Sequence, residues 1–212
     1  MTANFRVPFE LTTSNMPISN DDSHSVTPEP TSMAVGARCL KARMRSLRHL
    51  EAARGYLDLE MPGHALRELD EIGKNYPFQQ ARLRGEALCD LNQFDKARAA
   101  FAQALEECPR SLPILMGLAT CDQRQNRLDD AITTLEKANL IHPQQPAVLF
   151  SLARCAALRD DIEGALTWLG RAMRMCPDVA VWAESDPDFA SLRTLPDFVW
   201  FVEFAKLRVD AA

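Results

Sequence analysis

Residues 118–143 read LATCDQRQNRLDDAITTLEKANLIHP. Small Ala119 is followed by a polar Gln125-Asn126-Arg127 turn, then by Leu128, Ala131, Leu135 and Ala138 at helical spacing. Pro143 follows, and it cannot extend the helix before it. The stretch predicts helix, short turn, helix, stop. The same pattern stands in three other places. Pro77, Pro109, Pro143 and Pro177 each fall twelve residues after an alanine (Ala65, Ala97, Ala131, Ala165), with spacings of 109 − 77 = 32, 143 − 109 = 34 and 177 − 143 = 34. Eight residues before each proline stands Leu69, Phe101, Leu135 or Leu169, and five before it Ile72, Ala104, Ala138 or Ala172, so one buried helical stripe is written four times. Twenty-four before comes Ala53, Gly85, Ala119 or Ala153, a small residue where two helix backbones approach; fifteen before come Pro62, Phe94, Leu128 and Ile162. Such a period belongs to helix-hairpin solenoids rather than to propellers or leucine-rich arrays.

These blocks resemble tetratricopeptide repeats, residues 118–143 most fully, over roughly residues 44 to 177. The resemblance implies an all-α fold, a right-handed α-solenoid of four helix-turn-helix repeats at about 44–77, 78–109, 110–143 and 144–177. Two departures stand out: the second block is two residues short, and Asp122 occupies a usually aromatic position. After Pro177 the pattern stops. Asp186-Pro187-Asp188-Phe189, Leu192-Arg193 and Asp197-Phe198 resemble the closing element of many bacterial arrays, so residues 178–212 are expected to cap the last repeat. Residues 1–35, rich in Ser, Thr, Asn, Asp and Pro, are expected to form a disordered tail, within which Phe5, Val7, Phe9 and Leu11 alternate with polar residues and Pro8 as in an extended docking segment.

The 212 residues carry a net charge of −5 and are 47% hydrophobic, which suits one domain plus a tail and gives no general attraction to nucleic acid or anionic lipid. No apolar run is long enough to span a bilayer, and Met1–Pro8 has no signal-peptide core, so a cytoplasmic protein is expected. The six cysteines fit neither a zinc site nor a secreted disulfide framework; Cys108, Cys121, Cys155 and Cys176 read as small packing residues of the repeat. The sequence contains no phosphate-binding glycine loop and no hydrolase or metalloprotease motif, and His24, His49, His64 and His142 are scattered. Asp129-Asp130 and Asp160-Asp161 open second helices, where negative charge suits the helix N-terminus, and are expected to cap rather than bind metal. A non-catalytic chain is expected, with no catalytic residue, no metal and no cofactor.

Three surfaces could bind a partner. The resemblance implies a concave face lined by the first helices, contributing Leu50, Arg54, Leu57 and Asp58; Arg82, Glu86, Cys89 and Asp90; Met116, Thr120, Gln123 and Arg124; and Phe150, Arg154, Ala157 and Leu158. Its mixed arginine, apolar and acidic character suits a peptide with hydrophobic anchors and carboxylates. The Lys/Asn clamp that seizes chaperone tails is absent, since the matching places hold Leu50, Arg54, Leu83, Pro113 and Gly117, or Arg82, Glu86, Gly117, Ala147 and Ser151. A second surface is basic: Arg38, Lys41, Arg43, Arg45, Arg48 and Arg54 face only Glu51 in charge, a pattern open to RNA, an acidic peptide or a lipid headgroup but lacking interleaved aromatics for base stacking. The third is the last helix, about 196–209, with Phe198, Phe201, Val202 and Ala205 on one side and Trp200, Phe204 and Leu207 on the other. The second side either packs on 178–195 or is a partner surface, through which a homodimer is possible. The reading that follows is a protein-interaction adaptor; the alternatives are a basic-helix nucleic-acid binder or an accessory subunit of an enzyme or a secretion or assembly machine with a chaperone-like role.

Overall fold

The computed structural model describes residues 30–210, which form ten α-helices and one 3₁₀ turn, with no strand among the described residues. The chain divides into two compact units, 1–42 and 43–212. Helix α1 runs Pro30–Asp58, so it begins inside the span expected to be tail; residues 1–29, with the Phe5–Leu11 alternation, lie outside the described residues. In the second unit the end of α1 packs on α2 (Pro62–Asp70). There follow the antiparallel pairs α3 (Pro77–Asp90) with α4 (Phe94–Glu107), α5 (Leu112–Arg124) with α6 (Leu128–Ile141), and α7 (Pro146–Leu158) with α8 (Ile162–Met175). Helix α9 (Val179–Ser185), a 3₁₀ turn (Pro187–Phe189) and α10 (Pro196–Asp210) complete a tetratricopeptide-like solenoid.

The stripe read from the sequence is the core. Ala65, Ala97, Ala131 and Ala165 are fully buried, as are Leu69, Phe101, Leu135 and Leu169. Second helices start at Pro62, Phe94, Leu128 and Ile162, and each is preceded by one turn geometry. Glu60, Asn92, Asn126 and Asp160 adopt the left-handed conformation, with φ between 56° and 59°. The next residue then donates its N–H five residues back, as Gln93 does to Leu88, Arg127 to Asp122 and Asp161 to Ala156 (2.8, 2.8 and 2.9 Å), closing the open carbonyls of the preceding helix. Asn and Asp tolerate this conformation because their short side chains can bond locally. Of the four acids expected to cap second helices, only Asp161 does so by a side-chain bond, to Gly164 N–H at 3.0 Å. Asp160 forms the turn itself, and Asp129 and Asp130 reach Arg159 and Arg127 instead.

Pro77 does not hold the place of the other three prolines. Pro109, Pro143 and Pro177 stand two residues beyond the ends of α4, α6 and α8, whereas α2 already stops at Asp70 and Pro77 opens α3. The two missing residues explain this: Ala65 to Gly85 spans 85 − 65 = 20, against 119 − 97 = 22 and 153 − 131 = 22 in the later pairs. The chain must turn earlier, through Gly73 and a left-handed Tyr76, and proline fits the first helical position because its missing N–H has no partner there in any case. Cys121 and Cys155 are buried and Cys176 half-buried, but Cys108 is exposed and is not a packing residue.

Candidate partner-binding face

The first-helix residues fall into rows that follow the repeat offset: Arg82, Met116 and Phe150; Glu86, Thr120 and Arg154; Cys89, Gln123 and Ala157, one from each of α3, α5 and α7. Neighbouring first helices come close because Gly85 on α3 and Gly117 on α5 both lie against the Phe101 ring, with Cε1 and Cζ among the nearest atoms of each. A Cβ at either glycine would meet that ring at 2.5 and 2.6 Å, so the absence of a side chain sets the spacing of the two helices.

The α7 column is already occupied by the chain itself. Arg154 donates to Asp188 from Nε (2.8 Å) and Nη2 (2.6 Å) and pairs with Asp186 at 3.1 Å, while Gln123 Nε2 donates to the same Asp188 oxygen at 3.1 Å. Asp186 is buried, receives the Asp188 N–H on its side chain and holds Arg193 on its carbonyl. Phe189, fully buried, meets Phe150 edge-on at 5.4 Å and Phe198 at 6.3 Å; Trp182 meets Phe150 at 6.2 Å. Phe150 and Ala157 are therefore core, and Arg154 is committed to two carboxylates rather than free for a visitor.

The α3 column, and Met116 and Thr120 of the α5 column, are not held by that segment. Arg82 pairs with Glu86 at 2.9 Å, both half-buried; Met116 and Cys89 are half-buried, and exposed Thr120 turns its hydroxyl back to the Met116 carbonyl at 2.9 Å. On α1, Arg54 and Asp58 are exposed, but Leu50 and Leu57 are buried against α2 and α3. Leu158 and Arg124 are exposed and Asp90 is half-buried. Arg38, Lys41, Arg43, Arg45 and Arg48 are all exposed on α1. Sequence reasoning missed Asp186, Asp188, Phe189 and Trp182 as lining of this face; the signal for the first three was present in the Asp-Pro-Asp-Phe motif, but no spacing rule links it to Arg154.

On α10 the two sides differ. Phe198, Val202 and Ala205 are buried against α8 and α9, whereas Trp200, Phe204 and Leu207 are 59, 49 and 66% exposed, so residues 178–195 do not cover them. Trp200 stacks on Phe204 at 5.3 Å with the rings 8° from parallel. A groove of about 300 Å³ runs beside them between α8 and α10, floored by Leu166, Gly170, Met173 and Phe201 and edged by Arg174 and Arg208. Among the described residues no group of three His, Cys, Asp or Glu could hold a metal ion, and no helix is long and apolar enough to cross a membrane.

Residues 88–149 match the family model described as tetratricopeptide repeat. Among solved structures the chain is similar to PilW, described as a widely conserved type IV pilus biogenesis factor (TM-score 0.66, 18% identity, 86% of each chain covered). It is similar also to TTC0263, a thermophilic TPR protein of Thermus thermophilus (0.61, 16%, 76% of this chain and 89% of that one). A third is YrrB, a TPR protein with an unusual peptide-binding site (0.57, 13%, 80% and 89%). At these identities the likeness is one of fold. No curated protein sequence matches the chain.

Proposed function

We propose that this tetratricopeptide-repeat chain is a non-catalytic cytoplasmic adaptor that holds a peptide or helix of another protein across α3 and α5. The observation that carries the reading is the chain's own Asp186–Phe189 segment. It sits on the neighbouring columns by placing a carboxylate on the Arg154 fork and an aromatic ring beside Phe150. Met116 and Arg82 repeat that pairing of apolar surface and guanidinium one and two columns away, each half-buried, with Arg82 paired to Glu86 at 2.9 Å. The partner is then a segment with an acidic residue and an apolar anchor. A displayed library of random peptides selected on the full chain should enrich such sequences, and Arg82→Glu with Met116→Glu should weaken their binding about 10- to 100-fold, the range of two lost anchor contacts. Enrichment unaffected by that pair of changes would place the contact elsewhere.

A second reading concerns α10, where the open side is complementary to itself. Asp197, Trp200, Phe204, Leu207 and Arg208 fall within about 100° of one another by helical step, with the acid at one end and the arginine about 16 Å away at the other. An antiparallel copy would bring each Asp197 to the other's Arg208 across the aromatic residues, as an isologous interface requires. Light scattering is expected to give twice the 23.7 kDa chain mass. Trp200→Glu and Asp197→Arg should each yield monomer, and Asp197→Arg with Arg208→Asp should restore the dimer. A wild-type monomer at the highest soluble concentration contradicts it.

A further inference from the structure

Cys89 on α3 and Cys121 on α5 place their sulfur atoms 3.3 Å apart although 32 residues separate them. The offset is two short of the later repeat period, so Cys89 comes from the third row of the face and Cys121 from the buried row of Ala87 and Cys155, and they meet across the gap between neighbouring first helices. We propose that Cys89 and Cys121 form a reversible intramolecular disulfide that staples α3 to α5, with hydrogen peroxide as the oxidant. The sulfurs must close by about 1.3 Å to reach bonding distance, a displacement that small side-chain rotations can supply.

The two thiols are unlike. Cys89 is half-buried and open to a small oxidant, whereas Cys121 is fully buried. The hydrogen bond between them holds the Cys121 thiol below its ordinary range, helped by Arg127 and Arg98 against burial and Asp122. The same bond, with burial, pushes Cys89 up. In the first step the Cys89 sulfur gives up its proton and attacks the peroxide: an S–O bond forms, the O–O bond breaks, and the displaced oxygen takes up that proton and leaves as water, giving a sulfenic acid. Cys121 then gives up its proton and attacks the Cys89 sulfur as the thiolate: the S–S bond forms, the S–O bond breaks, and the departing hydroxide takes up that proton as a second water. Two thiols and one peroxide thus become one disulfide and two waters. Cys155, at the place on α7 that Cys121 holds on α5, has no thiol partner among the described residues and is pushed up to about 11 by burial.

This chemistry does not depend on the adaptor reading and is tested without a partner. In the full chain treated with equimolar peroxide and then alkylated, peptide mapping should join the Cys89 peptide to the Cys121 peptide, and dithiothreitol should release both. In a chain carrying Cys39→Ser, Cys108→Ser, Cys155→Ala and Cys176→Ser, the intact mass should fall by about 2 Da, with neither thiol alkylated. Alanine at position 121 is compatible with the fold, because Ala87 holds the equivalent place on α3. Cys121→Ala should accordingly keep the helical spectrum and leave the Cys89 sulfenic acid stranded, with about tenfold more dimedone adduct than wild type. Two alkylatable thiols after oxidation, direct passage to sulfinic acid in the wild type, or bridging of Cys89 to any other cysteine would overturn the proposal.

Discussion

Asp122 sits where the repeat usually places an aromatic ring, yet only 2% of it is exposed. Three arginine bonds explain how a carboxylate is tolerated there: Arg127 donates from Nε (2.9 Å) and Nη2 (2.6 Å), and Arg98 Nε lies at 3.1 Å. The Asp122 bond is the main reason the Arg127 guanidinium is held still more firmly charged than usual. The partners differ in their access to water, since Arg98 and Arg127 remain a third to a half exposed. Removing the acid frees two side chains that can rehydrate; removing Arg127 strands a buried carboxylate with one partner. Urea denaturation is therefore expected to show Asp122→Leu costing about 1 kcal/mol and Arg127→Met costing more, the asymmetry typical of breaking a buried pair from one side. Equal costs, or the reverse order, would mean that the network is not what accommodates Asp122.

At the scale of elements, the helix pairs were legible because each repeat writes its buried alanine, its larger apolar residue and its turn at fixed offsets, and every one of those alanines is buried. Pro77 was misread for a physical reason: proline both ends a helix before it and opens one after it, and the pattern alone does not distinguish the two. The occupied end of the first-helix face was not legible either, because Phe150 and Arg154 are covered by a segment more than thirty residues away that lies outside the repeat. Three substitutions probe these elements. Gly85→Ala improves helix propensity but drives a methyl into the Phe101 ring, with a net cost of about 1–2 kcal/mol. Combining it with Phe101→Leu should cost less than the sum of the two single changes, because the smaller side chain makes room. Phe189→Ala removes a fully buried ring touching Phe150 and Phe198 and should cost about 3–5 kcal/mol, with a shift of tryptophan emission as Trp182 loosens. Thermal and chemical unfolding measured on these variants decide both.

For the body formed by residues 43–212, the helical core leaves, besides the basic side of α1, two candidate partner surfaces of different chemistry. One combines an arginine, a carboxylate, a methionine and a thiol on α3 and α5; the other is the aromatic side of α10. The net charge of −5 places no general electrostatic pull on a nucleic acid, and binding through apolar anchors should change little with salt. A selected peptide is accordingly expected to lose less than about threefold in affinity between 50 and 200 mM salt, where a contact through six phosphate-like charges would lose about a thousandfold. A steep salt dependence would instead assign the contact to the arginines of α1. The adaptor account is tested most directly by amide hydrogen exchange on the full chain with and without a saturating display-selected peptide. The account expects new protection in α3 and α5 and none along α10 or the basic part of α1; protection confined to α10 or to α1, with α3 and α5 unchanged, would contradict it.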